Sequence, residues 1–199
     1  MPPVTQALII ANVAVFLLEM AGGMSFLSAF ALWPPGSGAF VGPEFQLWQL
    51  VTYSFLHANV AHIFFNMFAV YMFGRALEEV WGAKRFLVFY FASVLAAAFT
   101  QLIVTSLMGS IYPTVGASGG VFGILLAFAM LFPKQRLTLL FPPIPMPAWL
   151  FVTLYGILEL VLGVTRTQDS VAHFAHLGGM VGGALVFLYW RTVSPVRPS

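Results

Sequence analysis

The 199-residue chain has no cysteine, which excludes disulfides, thiolate catalysis and cysteine-ligated zinc or iron–sulfur centres. Charge is almost as scarce. Eight basic and six acidic residues make up 7% of the sequence, against about 25% in an average soluble domain. So few charges cannot cover a water-facing surface, which argues against both a soluble globular enzyme and a disordered chain. A net charge of +2 supplies no basic patch, so nucleic acid is not an expected partner. Nothing basic precedes Ala7–Leu18 either, so the first apolar run lacks the cationic start of a signal peptide.

Apolar residues are what the chain has instead. They make up 60% of it, and the mean hydropathy is +0.94. A span needs roughly 20 mostly apolar residues. Spans are predicted near 6–22, 57–75, 86–108, 117–132, 147–164 and 170–190. Pro133 ends the fourth, and Pro142, Pro143, Pro145 and Pro147 break the chain before the fifth. The expectation is one all-α integral membrane domain over residues 1–199, a bundle of six helices without a soluble appendage. The long connection from about Gly23 to Leu56, rich in apolar residues, is expected to lie partly in the membrane interface.

Seven of the eight basic residues fall on the side of the termini in this six-span arrangement. They are Arg75, Lys84, Arg85, Lys134, Arg136, Arg191 and Arg197, with Arg166 alone opposite. The positive-inside rule then places both termini in the cytoplasm.

Polar residues within spans are costly and point to function. The second span carries His57, His62 and Asn66, the fourth opens with Gly116-Ala117-Ser118-Gly119-Gly120, and the sixth carries His173 and His176. All three spans run inward from the outer face, so these groups converge at one depth. His62 and Asn66 share a helix face at i, i+4, and His57 lies about 140° round the wheel, expected at the interface. With a start at Ser170, His176 lies about 9 Å into its span. Ser118 occupies the first turn of its helix, where unpaired N–H groups favour an anion. The pairs Gly116/Gly120, Gly119/Gly123, Gly178/Gly182 and Gly179/Gly183 have the GxxxG spacing that lets helices approach closely.

A serine hydroxyl needs a base to become a nucleophile, and His176 is the best placed. The Ser118 backbone N–H, the His62 ring and the Asn66 amide are candidate oxyanion donors. No third group is apparent. Glu78 and Glu79 lie on the cytoplasmic side, and Asp169 is ~10 Å along the helix from His176. The reading is therefore a Ser–His dyad. Glu19 and Glu159 are expected to snorkel to the interface, His173 to shape the cavity, and Arg75 to clasp Glu78.

Four motifs now carry a resemblance. They are His57-Ala-Asn-Val-Ala-His62-Ile-Phe-Phe-Asn66, Gly74-Arg75-Ala-Leu-Glu78, Gly116-Ala117-Ser118-Gly119 and Ala175-His176-Leu-Gly178-Gly179. Together, and in this order, they resemble the rhomboid intramembrane serine proteases over nearly the whole chain. The resemblance implies a six-span rhomboid-type bundle of the compact prokaryotic kind, in the cytoplasmic membrane with its site toward the outer side. It implies cleavage of transmembrane helices of membrane proteins near the outer surface, through an acyl-enzyme and without metal or cofactor. Ser118 would be the nucleophile and His176 the base, with His62 and Asn66 holding the oxyanion. Phe122 would pack on the histidine, and the fifth span with its following loop, about Leu160–Ser170, would form a gate. A Trp-Arg pair common in the family's first loop is Trp48-Gln49 here. Two other classes are weighed beside this one. One is an inactive rhomboid-like protein that binds transmembrane helices. The other is a haem or metal protein using the four histidines, which leaves the Gly-Ala-Ser-Gly run unexplained.

Overall fold

In a lipid interior every backbone polar group must be satisfied within the protein, so apolar runs of this length fold as helices. A computed structural model of the chain describes residues 1–39, 42–138, 143–165 and 172–193. Its six main helices are α1 (Pro3–Phe30), α2 (Val60–Trp81), α3 (Ala83–Met108), α4 (Ser118–Leu131), α5 (Ala148–Thr165) and α6 (His173–Val193). By length and composition, α1, α2, α3 and α5 can cross a membrane, and α4 is a shorter apolar helix. The chain is an all-α membrane bundle.

Several boundaries move. The break expected at Gly23 is present, with φ +58 and ψ −146, but the chain resumes as helix to Phe30. The second helix starts at Val60 rather than at residue 57, because Asn59 caps it by accepting from the His62 N–H at 2.8 Å. His57 therefore lies ahead of the helix. That helix continues to Trp81, so Arg75 sits on it rather than between spans, and Gly82 with φ +78 makes the turn into α3. The last helix begins at His173, which places His176 in its first turn, about 4.5 Å from the start rather than 9 Å. Pro142, Arg166, Asp169, Ser170 and Arg197 lie outside the described residues. A short antiparallel pair, Arg136–Thr138 with Pro145–Pro147, was not anticipated from the sequence.

The long first connection folds onto the bundle rather than lying free. Leu32 and Thr114 exchange backbone hydrogen bonds of 3.0 and 2.9 Å. Gln49 is buried, and its Oε1 accepts from the backbone N–H of Trp33 and of Gln46 at 3.2 and 3.3 Å. The Trp48 indole donates to the Ala29 carbonyl at 3.1 Å. The Trp48-Gln49 pair thus anchors this loop through neutral hydrogen bonds. Tyr53 fastens it at depth, donating its hydroxyl to the Val94 carbonyl at 2.8 Å and accepting the Gly116 N–H on its own carbonyl at 2.9 Å.

Glycine sets the spacing of α3, α4 and α6. A Cβ on Gly179 would fall on the backbone of Gly119, and one on Gly183 would lie 3.1 Å from the Gly123 Cα. The neighbouring pair Gly178 and Gly182 faces α3, where Thr100 and Ala96 fill the space a side chain would need. The two overlapping GxxxG pairs of α6 therefore divide the contacts, with Gly179 against α4, Gly178 and Gly182 against α3, and Gly183 between Gly123 of α4 and Phe89 and Ser93 of α3.

At the opposite end of α2, Glu78 is buried, and it binds α1 rather than Arg75. Its Oε1 accepts from the Val4 N–H at 2.8 Å, and its Oε2 accepts from the Thr5 N–H and hydroxyl, both at 2.7 Å. A carboxylate of one helix thus caps the positive end of another. Arg75 pairs instead with Glu79 at 2.8 Å on the exposed face.

Removing the Glu78 carboxylate leaves buried donors of α1 unsatisfied. Glu78→Ala should destabilise the detergent-solubilised protein by about 2 kcal/mol or more, while Thr5→Val should cost about 1 kcal/mol. Equal thermal unfolding curves for the two variants would contradict this capping role. Gly179→Ala should also unfold at lower temperature, because its methyl group forces α6 away from α4.

Candidate active site

Ser118 is the first residue of α4, reached through Gly116 at φ +127, a conformation that disfavours any side chain. A Cβ at Gly116 would also lie 2.8 Å from both Cε1 and Nε2 of His62. Glycine here therefore serves two needs. It allows the turn into α4, and it lets the His62 ring rest against the backbone just ahead of Ser118.

The glycine contact between α4 and α6 brings the pair together. His176 Nε2 lies 2.8 Å from Ser118 Oγ. The imidazole is buried and stacks on Phe122, with centroids 4.3 Å apart and planes inclined by 8°. Phe122 packs in turn against Tyr155 of α5. The ring is thus held in plane by an aromatic face one turn beyond the serine.

Of the remaining expected residues, His62 faces the serine's approach and Asn66 lies one turn further along α2. The Ala58 N–H donates to His62 Nδ1 over a long 3.4 Å. Accepting there places the ring proton on Nε2, the nitrogen that meets Gly116. Asn66 is buried and returns one amide hydrogen to the His62 carbonyl at 3.0 Å, so only its second amide hydrogen remains to point elsewhere. His57, expected at the interface, is buried, and its ring meets the His62 ring edge-on at 5.0 Å. Its backbone N–H donates to Glu19 Oε2 at 3.0 Å. Glu19 is itself buried and does not snorkel.

Sequence reasoning missed Glu159. Expected at the interface, it is 4% exposed in the middle of the one face of α5 that turns inward, with Ala148, Val152 and Gly163. Its Oε2 lies 2.8 Å from His176 Nδ1 and 2.7 Å from His173 Nδ1. The expectation that no third group reaches His176 is corrected accordingly. The acid comes from a different helix, where spacing along the chain gives no signal. The available clue was its depth on the predicted spans, about 7.5 Å before the end of the fifth against about 9 Å into the sixth for His176. Gly163 allows the approach, because its Cβ would meet Phe174 and His173 at 3.1 to 3.2 Å.

Among the described residues, Glu159, His173 and His176 form a set with metal-ligand atoms within 4.8 Å of one another. Their separations are those of hydrogen bonds from two imidazole Nδ1–H groups to one carboxylate oxygen. A cation bound to His176 Nδ1 would leave the proton on Nε2, where it would oppose rather than assist removal of the serine proton.

A histidine Nε2 2.8 Å from a serine hydroxyl at a helix N-terminus is an arrangement that can support acyl transfer. Comparisons with known proteins point the same way. The family model of the Rhomboid domain matches residues 44–192. The Bacillus subtilis rhomboid protease GluP is 30% identical over 168 residues, which cover 84% of this chain and 31% of that protein. The mitochondrial rhomboid protein 1 of Saccharomyces cerevisiae is 32% identical over 71% of this chain and 41% of its own length. The rhomboid protease GlpG of Pectobacterium atrosepticum is 26% identical over 98% of this chain and 65% of its own length. The chain thus spans between about a third and two thirds of these relatives. With a matched domain of 149 residues containing every motif of the site, the chain belongs to the rhomboid family.

Proposed function

We propose that this chain is an intramembrane serine endopeptidase that cuts transmembrane helices of other membrane proteins. The observation that carries the reading is the 2.8 Å contact of His176 Nε2 with Ser118 Oγ, made between two helices inside an apolar bundle. The three relatives cited above have protease or rhomboid names, which supports the same reading.

In this mechanism His176 Nε2 takes the Ser118 proton as Oγ bonds to the scissile carbonyl carbon. The carbonyl π pair moves to oxygen, where the Ser118 N–H, the His62 Nε2–H and the free Asn66 amide hydrogen receive it. Collapse breaks the C–N bond, and His176 returns its proton to the departing amine. Water then hydrolyses the acyl-enzyme by the same sequence, with His176 as base. Phe122 keeps the imidazole in plane throughout. No step needs a metal or an organic cofactor.

The six helices are proposed to span the membrane with both termini in the cytoplasm and the site toward the outer side. The positive-inside distribution supports this orientation, and a prokaryotic cell membrane is the proposed host. A substrate helix must unwind locally, because its peptide groups are shielded while helical. The proposed entry is past α5 and the segment after it, of which residues 166–171 lie outside the described residues. Most of α5 faces outward, and its inward face is interrupted by Gly156 and Gly163, which supports a movable helix.

The direct test is covalent labelling of the purified, folded protein by a fluorophosphonate, which reacts with activated serines. Wild type should label, while Ser118→Ala and His176→Ala should lose roughly 10⁴-fold or more in rate. Equal labelling of Ser118→Ala would sink the assignment and favour a helix-binding, inactive relative. Gly116→Ala should displace His62 and reduce cleavage of a model transmembrane substrate on the order of 10²-fold, the usual cost of one oxyanion donor. Unchanged cleavage in that variant would remove His62 from the mechanism.

A further inference from the structure

Glu159 has no part in the reaction as written above, yet it is among the most costly residues in the bundle. A carboxylate removed from water inside an apolar helix is retained only with strong partners. Its partners are both imidazoles of α6, and one of them is the base.

We infer that Glu159 is a positioning residue for His176, completing a Ser118–His176–Glu159 relay across helices α4, α6 and α5. This inference rests on the reading of Ser118 and His176 as nucleophile and base. Two contacts, one on each ring nitrogen of His176, join the three groups. Ser118 Oγ meets His176 Nε2 at 2.8 Å, and His176 Nδ1 meets Glu159 Oε2 at 2.8 Å. An ionised carboxylate only accepts, so Nδ1 must carry the proton, and the lone pair is left on Nε2 facing the serine. Neutral imidazole otherwise distributes between two tautomers, one of which cannot act as base here. Glu159 selects the useful one, and it faces the imidazolium that forms when Nε2 takes the serine proton. The proton on Nδ1 stays there throughout, so the carboxylate remains ionised.

His173 supports the acid rather than the serine. Its Nδ1 donates to the same Oε2 at 2.7 Å, which holds that oxygen from a second side. The two rings are set edge to face at 6.3 Å, so they approach the carboxylate from different directions. Among the described residues, the titratable side chains around this group are His62 of α2, Tyr155 of α5 and the two histidines of α6. Among those described residues there is no second carboxylate. The placement has a further consequence. The acid sits on α5, while base and nucleophile sit on α6 and α4, so the relay is complete only when α5 is docked against α6. Displacement of α5 separates the acid from its base.

The test combines labelling kinetics with the protonation site of the ring. In Glu159→Gln the amide can donate to Nδ1, which favours the tautomer with its proton on Nε2. Fluorophosphonate labelling should then fall on the order of 10²- to 10⁴-fold, as for orienting acids elsewhere. For a model transmembrane substrate the loss should appear in kcat, with KM within about threefold of wild type. Glu159→Asp, one methylene shorter but still ionised, should recover part of the rate. His173→Gln should lose less than about tenfold, since Glu159 then still serves His176.

Nitrogen-15 NMR of histidine-labelled wild type should find His176 protonated on Nδ1 at neutral pH, and this measurement needs no variant to fold. Labelling of folded Glu159→Gln at the wild-type rate would overturn the inference, as would a wild-type His176 protonated on Nε2. Loss through KM alone would also overturn it, since that is substrate binding rather than orientation of the base. If wild type itself does not label, the reading of Ser118 fails first, and the two failures are told apart.

Discussion

The close approach of α4 and α6 is the constraint on which the site depends. At Gly119 and Gly179 the two helices meet backbone to backbone, with no space for a methyl group. Lipid tails are as apolar as the side chains, so burying apolar surface does little to drive helix association in a bilayer. Packing at short range has to hold the helices together. That requirement produces the geometry of the site, because a hydroxyl and an imidazole on separate helices reach 2.8 Å only if the backbones are close. The glycines that make α4 and α6 pack are also those that bring Ser118 to His176.

A second constraint follows from the first. A carboxylate buried among closely packed helices is costly unless donors on a neighbouring segment satisfy it. Glu78 satisfies the start of α1, Glu19 holds the chain ahead of α2 through the His57 N–H, and Glu159 binds the two imidazoles of α6. All three are acids contributed by one segment to donors on another. The bundle is thus pinned at both ends by carboxylates whose burial would be unfavourable unpaired. Gln49 fulfils the same function without charge, binding two backbone N–H groups inside the first connection. An uncharged amide thus suffices to fix the loop to Trp33.

The sites differ in how readily a sequence reveals them. Ser118, His176, His62 and Asn66 stand out because polar residues are rare in this composition, and their depth follows from the direction of each span. Phe122 follows from the one-turn spacing after the serine. Glu159 was visible as an acid in an apolar run, but its default partner was water at the interface. Only the rotation of α5 about its own axis decides whether that carboxylate faces lipid headgroups or α6. Rotation depends on where Gly156 and Gly163 let another helix approach, and that depends on a partner distant in sequence. His57 was misplaced for a related reason. The Asn59 cap starts α2 three residues later than hydropathy suggests, so helical-wheel geometry does not apply to His57.

The sequence by itself determined that the chain is a membrane bundle, where its helices lie to within a few residues, and which polar groups it carries inward. Those properties depend on composition and on local periodicity, which each segment expresses alone. Tertiary structure decided which groups touch. The pairing of Ser118 with His176, the packing of His62 on Gly116, and the capture of both α6 histidines by Glu159 are relations between helices. Each is set by a distance of a few ångströms between side chains far apart in the chain. Such distances depend on which face of a helix finds a glycine opposite it, and no single segment carries that information.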